Sequence, residues 1–363
     1  MSDYGEIQHS DEWNKKPIEK YLRYKERKVT DRRLDKIKNT IKSSPKDSNW
    51  ESWDEFSDWQ EEMPVELAED YLDHLRNSGL SERTIMQRFT VIQEFLEILM
   101  NRSDIVNSNP VAFVNDETDY EIEERKKVER SVKEVSNFLT GIKNHQLRAL
   151  ATLLAKAGLR FGEAQNLDLR DVHIDHEAYY NTLDRNGESI HQKIAKRPDS
   201  IYIPTEPTVQ EEFRGEFRWR GNKRERSTVI PIDRELKQTL INWLAVRPIT
   251  ESPHPFWVSP KGTPTRIKQK YVWEKLTEVW PKRTGFTEGG TDDGFYLHWF
   301  RYFFTTQLHP GQGHYEEFLQ PAMIKYLRGD VMEDNMLAHY TQDWGDTIRD
   351  EYLDKIYQFG IYD

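Results

Sequence analysis

Apolar side chains return every three or four residues through much of this chain, and the polar residues between them mark where helices begin and end. Ile18, Leu22, Val29, Leu34, Ile37 and Ile41 set that spacing over 17–43 and predict one or two helices. Pro64 and the acids after it suit a helix start. Val65, Leu67, Tyr71, Leu72 and Leu75 give this helix an apolar face, and Asn77-Ser78-Gly79 stops it. Ser81 is placed to cap a further helix carrying Ile85, Phe89, Ile92, Phe95 or Leu96, and Leu99, closed by Asn109-Pro110. From Val132 the helical pattern resumes; Leu147, Leu150, Leu153, Leu154 and Ala157 belong to a helix for which Gly158 is a left-handed cap. Three short runs read as strands: Tyr202-Ile203, Phe217 to Trp219, and Val229 to Pro231, with Gly221-Asn222 as a turn between the last two. An aromatic helix opens at His298, its Trp299, Phe300, Phe303 and Phe304 expected in the core.

Between 115 and 130 only Tyr120, Ile122 and Val128 are sizeable and apolar in an otherwise charged stretch. A linker is expected there. The chain then divides into a helical domain over 1–115, a linker over 116–130 and a second domain over 131–363. A length of 363 residues suits two cores better than one. No apolar run approaches eighteen residues and the first residues do not resemble a leader, so a cytoplasmic protein without membrane contact is expected. With no cysteine in the sequence, disulfides, thiolate metal sites and cysteine nucleophiles are excluded.

A net charge of −11 argues against a polyanionic partner until its distribution is considered. Residues 15–46 carry thirteen Lys/Arg against four acids, a net of +9, which leaves −20 for the remainder. Residues 47–70 then hold ten acids and no base. Phosphates are neutralised by local clusters rather than by the average, so the basic segment, with Lys36, Lys38 and Lys42 along it, is a candidate nucleic-acid surface. A solvated basic helix is the alternative. The acid excess elsewhere also fits adaptation to high salt.

Attack of a protein hydroxyl on a phosphodiester needs four things: an in-line nucleophile, cationic donors for the non-bridging oxygens, a proton for the leaving oxygen, and help in deprotonating the nucleophile. Without a metal, Arg, Lys and His must supply the positive charge. Arg160 lies two residues beyond a helix end, where its planar fork can turn into a cleft, and Glu163 is placed to hold it. His298 and Arg301 are three apart on a helix and share a face. Lys223 stands just before the strand Thr228–Ile232, in a segment where Arg214, Arg218, Arg220, Arg224 and Arg226 compete for the same role. Tyr340, in His339-Tyr340-Thr341, is the candidate nucleophile; Tyr352, flanked by Leu and Ile, reads as packing. His309 and His314 are separated by Pro310 and glycines, and no set of side chains has convincing metal-ligand spacing. No serine sits in Gly-x-Ser-x-Gly.

The string Ala157-Gly-Leu-Arg-Phe-Gly-Glu163, the string Leu297-His-Trp-Phe-Arg-Tyr-Phe-Phe-Thr-Thr-Gln-Leu308, and Tyr326-Leu-Arg-Gly-Asp330 followed by His-Tyr-Thr resemble the motifs of the tyrosine recombinase (phage integrase) family. Gly79-Leu-Ser-Glu-Arg-Thr-Ile85 with the later Asn-Pro is similar to that family's core-binding domain. The resemblance covers roughly 16–115 loosely and 131–363 well. It implies a mainly α fold with a small antiparallel β-sheet: an N-terminal helical core-binding (SAM-like) domain and an α+β tyrosine recombinase catalytic domain. It further implies strand cleavage through a 3′-phosphotyrosyl link formed by Tyr340, with Arg160, Arg301 and His298 on the phosphate, Lys223 as general acid, and no cofactor. The implied partner is double-stranded DNA, bound as a homotetramer on two sites, with Lys36, Lys38, Lys42, Arg220 and Arg224 contributing affinity. A viral or mobile-element integrase is expected, an archaeal one included. A catalytically weak DNA-binding relative and a type IB-like topoisomerase stay open beside it.

One position departs from the motif. Asp330 stands where the family places His or Trp, and an unpaired carboxylate would repel a phosphodiester. The expectation is that Asp330 orients Arg328, His339 or another cation.

Overall fold

A computed structural model of the protein describes residues 11–29, 31–42, 52–56, 62–122, 129–260, 262–280, 296–310, 318–330 and 346–362. These fall into two compact units, 1–125 and 126–363.

The first unit is helical: α1 (Asp11–Lys15), α2 (Pro17–Glu26), α3 (Asp31–Ile41), α4 (Trp53–Phe56), α5 (Val65–Asn77), α6 (Glu82–Met100) and α7 (Pro110–Glu117). Ser81 caps α6 by accepting the Thr84 N–H. The helix expected to close at Asn109-Pro110 ends at Met100 instead. Asn109 caps a new helix, accepting the Ala112 N–H at 3.0 Å with Pro110 in the first turn, where its missing N–H costs nothing. α7 runs into the stretch expected as linker, and Tyr120 packs against this unit's core. Tyr21, Ile37, Trp53, Tyr71, Leu75, Phe89 and Phe95 are the heart of that core. Lys25, predicted as part of the basic surface, is buried and bonded to Glu94 at 2.6 Å, so it ties α2 to α6.

The second unit contains α8 (Val132–Gly141), α9 (His145–Ala157), α10 (Phe161–Asn166), β1 (Val172–His173), α11 (Glu177–Asn186), β2 (Ser200–Ile203), β3 (Glu211–Phe213), β4 (Glu216–Arg218), β5 (Thr228–Pro231), α12 (Arg234–Leu244), α13 (Gln269–Val279), α14 (Trp299–Leu308), α15 (Pro321–Arg328) and α16 (Asp346–Lys355). Strands β1, β2 and β5 form an antiparallel sheet in that order, with Ile201 opposite both Val172 and Ile230. β3 and β4 make a separate ribbon that turns at Arg214-Gly215. Gly221-Asn222 is therefore not the turn of a hairpin with β5. Gly221 presses its backbone onto residues 208 and 209, where a Cβ would come within 2.7 Å. Asn222 donates to the Pro204 and Glu206 carbonyls at 2.9 and 2.7 Å, which fastens this crossing to the loop after β2.

α9 is buried along nearly its whole length and α14 packs on it, with Trp299, Phe300, Phe303 and Phe304 in the core as their spacing predicts. Lys156 lies wholly inside. Its ammonium meets Asp233 at 2.6 Å and Glu235 at 2.9 Å and donates to the Tyr357 carbonyl at 2.9 Å. Glu235 also accepts the N–H groups of Phe359 and Ile361, so one buried ion cluster holds the C-terminal segment against α9 and α12. α16 enters through Asp346, paired with Arg197 at 2.9 Å, and is anchored by the buried Tyr352, whose hydroxyl donates to the Lys156 carbonyl at 2.9 Å.

Removing one member of a buried ion cluster strands the others in low dielectric, at a cost of about 3–5 kcal/mol. Lys156→Ala is expected to destabilise the second unit by that order in a denaturant titration, and Tyr352→Phe, which removes one hydrogen bond, by about 1 kcal/mol.

Candidate functional site

The site begins at a helix end. Gly158 caps α9 in the left-handed region (φ +61°), and a Cβ on it would lie 2.4 Å from the Phe304 ring. A bare glycine thus lets α14 close on α9. Arg301, in the first turn of α14 and 2% exposed, donates from Nη1 to the Gly158 carbonyl at 2.8 Å. Two residues beyond Gly158, Arg160 caps α10 from extended backbone. The Glu163 carboxylate accepts the Arg160 backbone N–H at 2.8 Å and its Nη1 at 3.0 Å, holding main chain and guanidinium together as the sequence suggests.

α15 arrives from the other side and ends at Gly329, again left-handed (φ +66°). A Cβ here would meet the Arg224 guanidinium at 2.7 Å. The turn presents Asp330 to three guanidiniums: Arg160 Nη2 at 3.1 Å and Arg301 Nη2 on Oδ1, and Arg328 Nη2 at 3.0 Å on Oδ2. Arg301 Nη1 also donates to the Arg328 carbonyl at 2.8 Å. Burial, then the guanidiniums of Arg328 and Arg160, push the Arg301 pKa down to about 9, which leaves it cationic at neutral pH. Burial also lowers that of Arg328, against the pull of Asp330. The outcome is a partly exposed cluster with more positive than negative groups, fixed by backbone caps at Gly158 and Gly329.

Arg224, expected to contact DNA, does not fit that role. Its side chain is fully buried, pairing with Glu163 at 3.1 Å and donating to the Leu327 carbonyl at 3.1 Å and to the Thr228 hydroxyl. A group without solvent access cannot reach a phosphate, and Arg224 instead supports the carboxylate that holds Arg160. Arg214 and Arg218 are engaged too, both on Asp168, with Arg214 also on Glu188. Lys223 and Arg220 are exposed. Lys223 sits at φ +52° between the buried Asn222 and Arg224, a conformation that costs a residue with a side chain about 1–2 kcal/mol. Arg224 on Glu163 fixes that backbone beside the Arg160 cluster.

His298 is exposed at the N-cap of α14, and its carbonyl accepts the Arg301 N–H at 3.1 Å. Tyr340 and His339 lie outside the described residues. Tyr352, the rival nucleophile, is buried, and burial raises its phenol well above the ordinary range. In the first unit Lys36, Lys38 and Lys42 are exposed on or just past α3; Lys38 and Lys42, four apart, share a face, while Lys36 points to another side.

No family model and no curated protein sequence matches this chain. Solved structures do. A lambda integrase dimer bound to a COC' core site aligns with a TM-score of 0.56 at 14% identity, over 91% of this chain and 95% of that one. The Tn1549 transposon integrase in complex with circular intermediate DNA aligns with a TM-score of 0.54 at 14% identity, over 89% and 93%. A lambda integrase tetramer bound to a Holliday junction gives 0.53 at 12%, over 91% and 84%. The fold is of this type: mainly helical with a small antiparallel sheet. Nothing in these likenesses supports an archaeal source.

Arg224→Gln and Arg220→Gln are expected to separate support from surface. The first should lower the thermal midpoint and, if the chain binds DNA as its sequence suggests, leave the salt dependence of that binding unchanged. The second should leave the midpoint unchanged and reduce the slope of log K against log salt by about one if it meets one phosphate. A reversed pattern would restore Arg224 as a DNA contact.

Proposed function

We propose that this chain is a site-specific DNA recombinase of the integrase kind, acting on double-stranded DNA through Tyr340. What supports the reading most is the meeting of Arg160 and Arg301 on one side of a partly open cluster. They lie far apart in sequence, in two separate strings that resemble the two arginine motifs of the tyrosine recombinase family. In this reading the Tyr340 oxygen attacks phosphorus as its proton passes to water, the bond to the 5′-oxygen breaks, and Lys223 gives that oxygen a proton. The product is a 3′-phosphotyrosyl link and a 5′-hydroxyl. The energy of the broken bond is retained in the new one, so rejoining to another strand needs no nucleotide. Arg160, Arg301 and His298 hold the phosphoryl oxygens as charge develops. The helical first unit serves as the core-binding domain, and four protomers act on two duplexes in the cytoplasm.

The second reading, a DNA-binding relative with weak catalysis, draws on Asp330, whose carboxylate already engages three guanidiniums. A topoisomerase would relax DNA with the same chemistry as a monomer.

On a nicked duplex that traps the covalent intermediate, Tyr340→Phe should abolish capture with DNA affinity almost unchanged, and Tyr352→Phe should retain it. Capture by Tyr340→Phe and loss in Tyr352→Phe would reverse the assignment. Binding without capture by the native chain would favour the second reading, and recombination between two sites separates a recombinase from a topoisomerase. Replacing Lys38 and Lys42 by Gln should flatten the salt dependence of binding by up to about two units of slope; an unchanged slope returns α3 to a solvated surface.

A further inference from the structure

We propose that Arg328 is a third guanidinium for the scissile phosphate, and that Asp330 is the positioning residue that aims it alongside Arg160 and Arg301. This rests on the recombinase reading. Each guanidinium has five N–H donors, and the protein uses them unequally. Arg301 gives Nη1 to the carbonyls of Gly158 and Arg328 and Nη2 to Asp330, and it is 2% exposed. Arg160 gives Nη1 to Glu163 and Nη2 to Asp330. Among the described residues Arg328 pairs with Asp330 alone, through Nη2. Its side chain is one quarter exposed, and its Nε is buried without a hydrogen-bond partner among the described residues. The buried Nε cannot meet a ligand, but the exposed quarter of the side chain belongs to a guanidinium engaged with one partner among the described residues, so it keeps donors that an arriving oxyanion can satisfy.

The charge balance agrees with this. Three guanidiniums around one carboxylate leave an excess of two positive charges, enough to take a phosphodiester monoanion and remain positive. Asp330 therefore does not oppose the phosphate as a lone acid would. It keeps three mutually repelling cations within reach of one point, and Gly329 allows the tight turn that brings Arg328 and Asp330 onto the same side. The pair Arg328 and Asp330 thus takes over the task that one donor would otherwise perform after that glycine.

The test uses the full-length protein and nicked duplexes whose scissile linkage is either a phosphodiester or a methylphosphonate, which carries no charge. Arg328→Ala should slow covalent capture on the phosphodiester by about 10²-fold or more, the scale for loss of a preorganised donor, with little change in non-covalent affinity. On the methylphosphonate its deficit relative to the native chain should shrink to under about tenfold, because the charge it neutralises is gone. Arg328→Lys, which keeps the charge and the bulk, should fall between. Asp330→Asn should slow capture on both substrates, since it misaims all three arginines, while Arg328→Ala shows the substrate-dependent rescue. Native rates from Arg328→Ala and Arg328→Lys on both linkages overturn the proposal. So does an equal loss on both linkages in a variant that melts at the native temperature, which would mark a structural residue. If the native chain captures neither duplex, the recombinase reading itself fails and this one falls with it.

Discussion

Like charges in one place are what this molecule has to manage. Arg160, Arg224, Arg301 and Arg328 come from four separate elements into one neighbourhood, and two carboxylates, Glu163 and Asp330, keep them there. Glu163 works from inside: buried between Arg160 and Arg224, it fixes the start of α10. Asp330 works from the open side. Both act at helix ends, where backbone groups are available to bind side chains, and two glycines without Cβ atoms allow those ends to come close. Take away either carboxylate and the remaining charges would spread the elements apart.

A second cluster obeys the same logic with a different outcome. Asp168 is wholly buried and collects Arg214, Arg218 and Arg266, and Glu216 adds to the set. Arg218 and Arg266 are buried with it, and Arg214 is held between Asp168 and Glu188. The ribbon of β3 and β4 is thereby clamped onto the chain around residues 166–168. Phe217 and Trp219 then stand out at the surface in edge-to-face contact, 4.8 Å between ring centres. Clamping matters for Lys223 because the same segment carries it: Asn222 and Arg224 on either side are tied down, while Lys223 projects into solvent.

Much of this is legible in the sequence, for reasons that can be named. Gly158 and Arg160 can be placed because a helix pattern ending in glycine leaves few conformations for the next residues. His298 and Arg301 can be placed because three residues is nearly one helical turn. The aromatic helix belongs to the core because Trp299, Phe300, Phe303 and Phe304 recur on one side. The hairpin region is not legible to the same degree. Six basic residues between 214 and 226 look alike in one dimension, and only long-range partners such as Asp168 and Glu163 decide which are buried. Arg224 reads as a DNA contact for that reason, whereas the structure buries it against Glu163. Gly221-Asn222 misleads as well, since a turn signal and a close backbone crossing require the same residue types. The placement of Asp330 follows from its charge: a carboxylate in that position has to find cations, and it finds three.

The two anchors that flank the candidate nucleophile carry a further consequence. Gly329 is locked against Arg224 on one side, and on the other Asp346 is paired with Arg197 while Tyr352 is buried beneath α9. In the sequence, residue 340 stands ten residues after Asp330 and six before Asp346. Six residues of fully extended chain span at most roughly 20 Å. If Tyr340 is the nucleophile, the phosphate it attacks must lie within that span of Asp346 extended by the length of the tyrosine side chain, a limit set by chain length rather than by affinity.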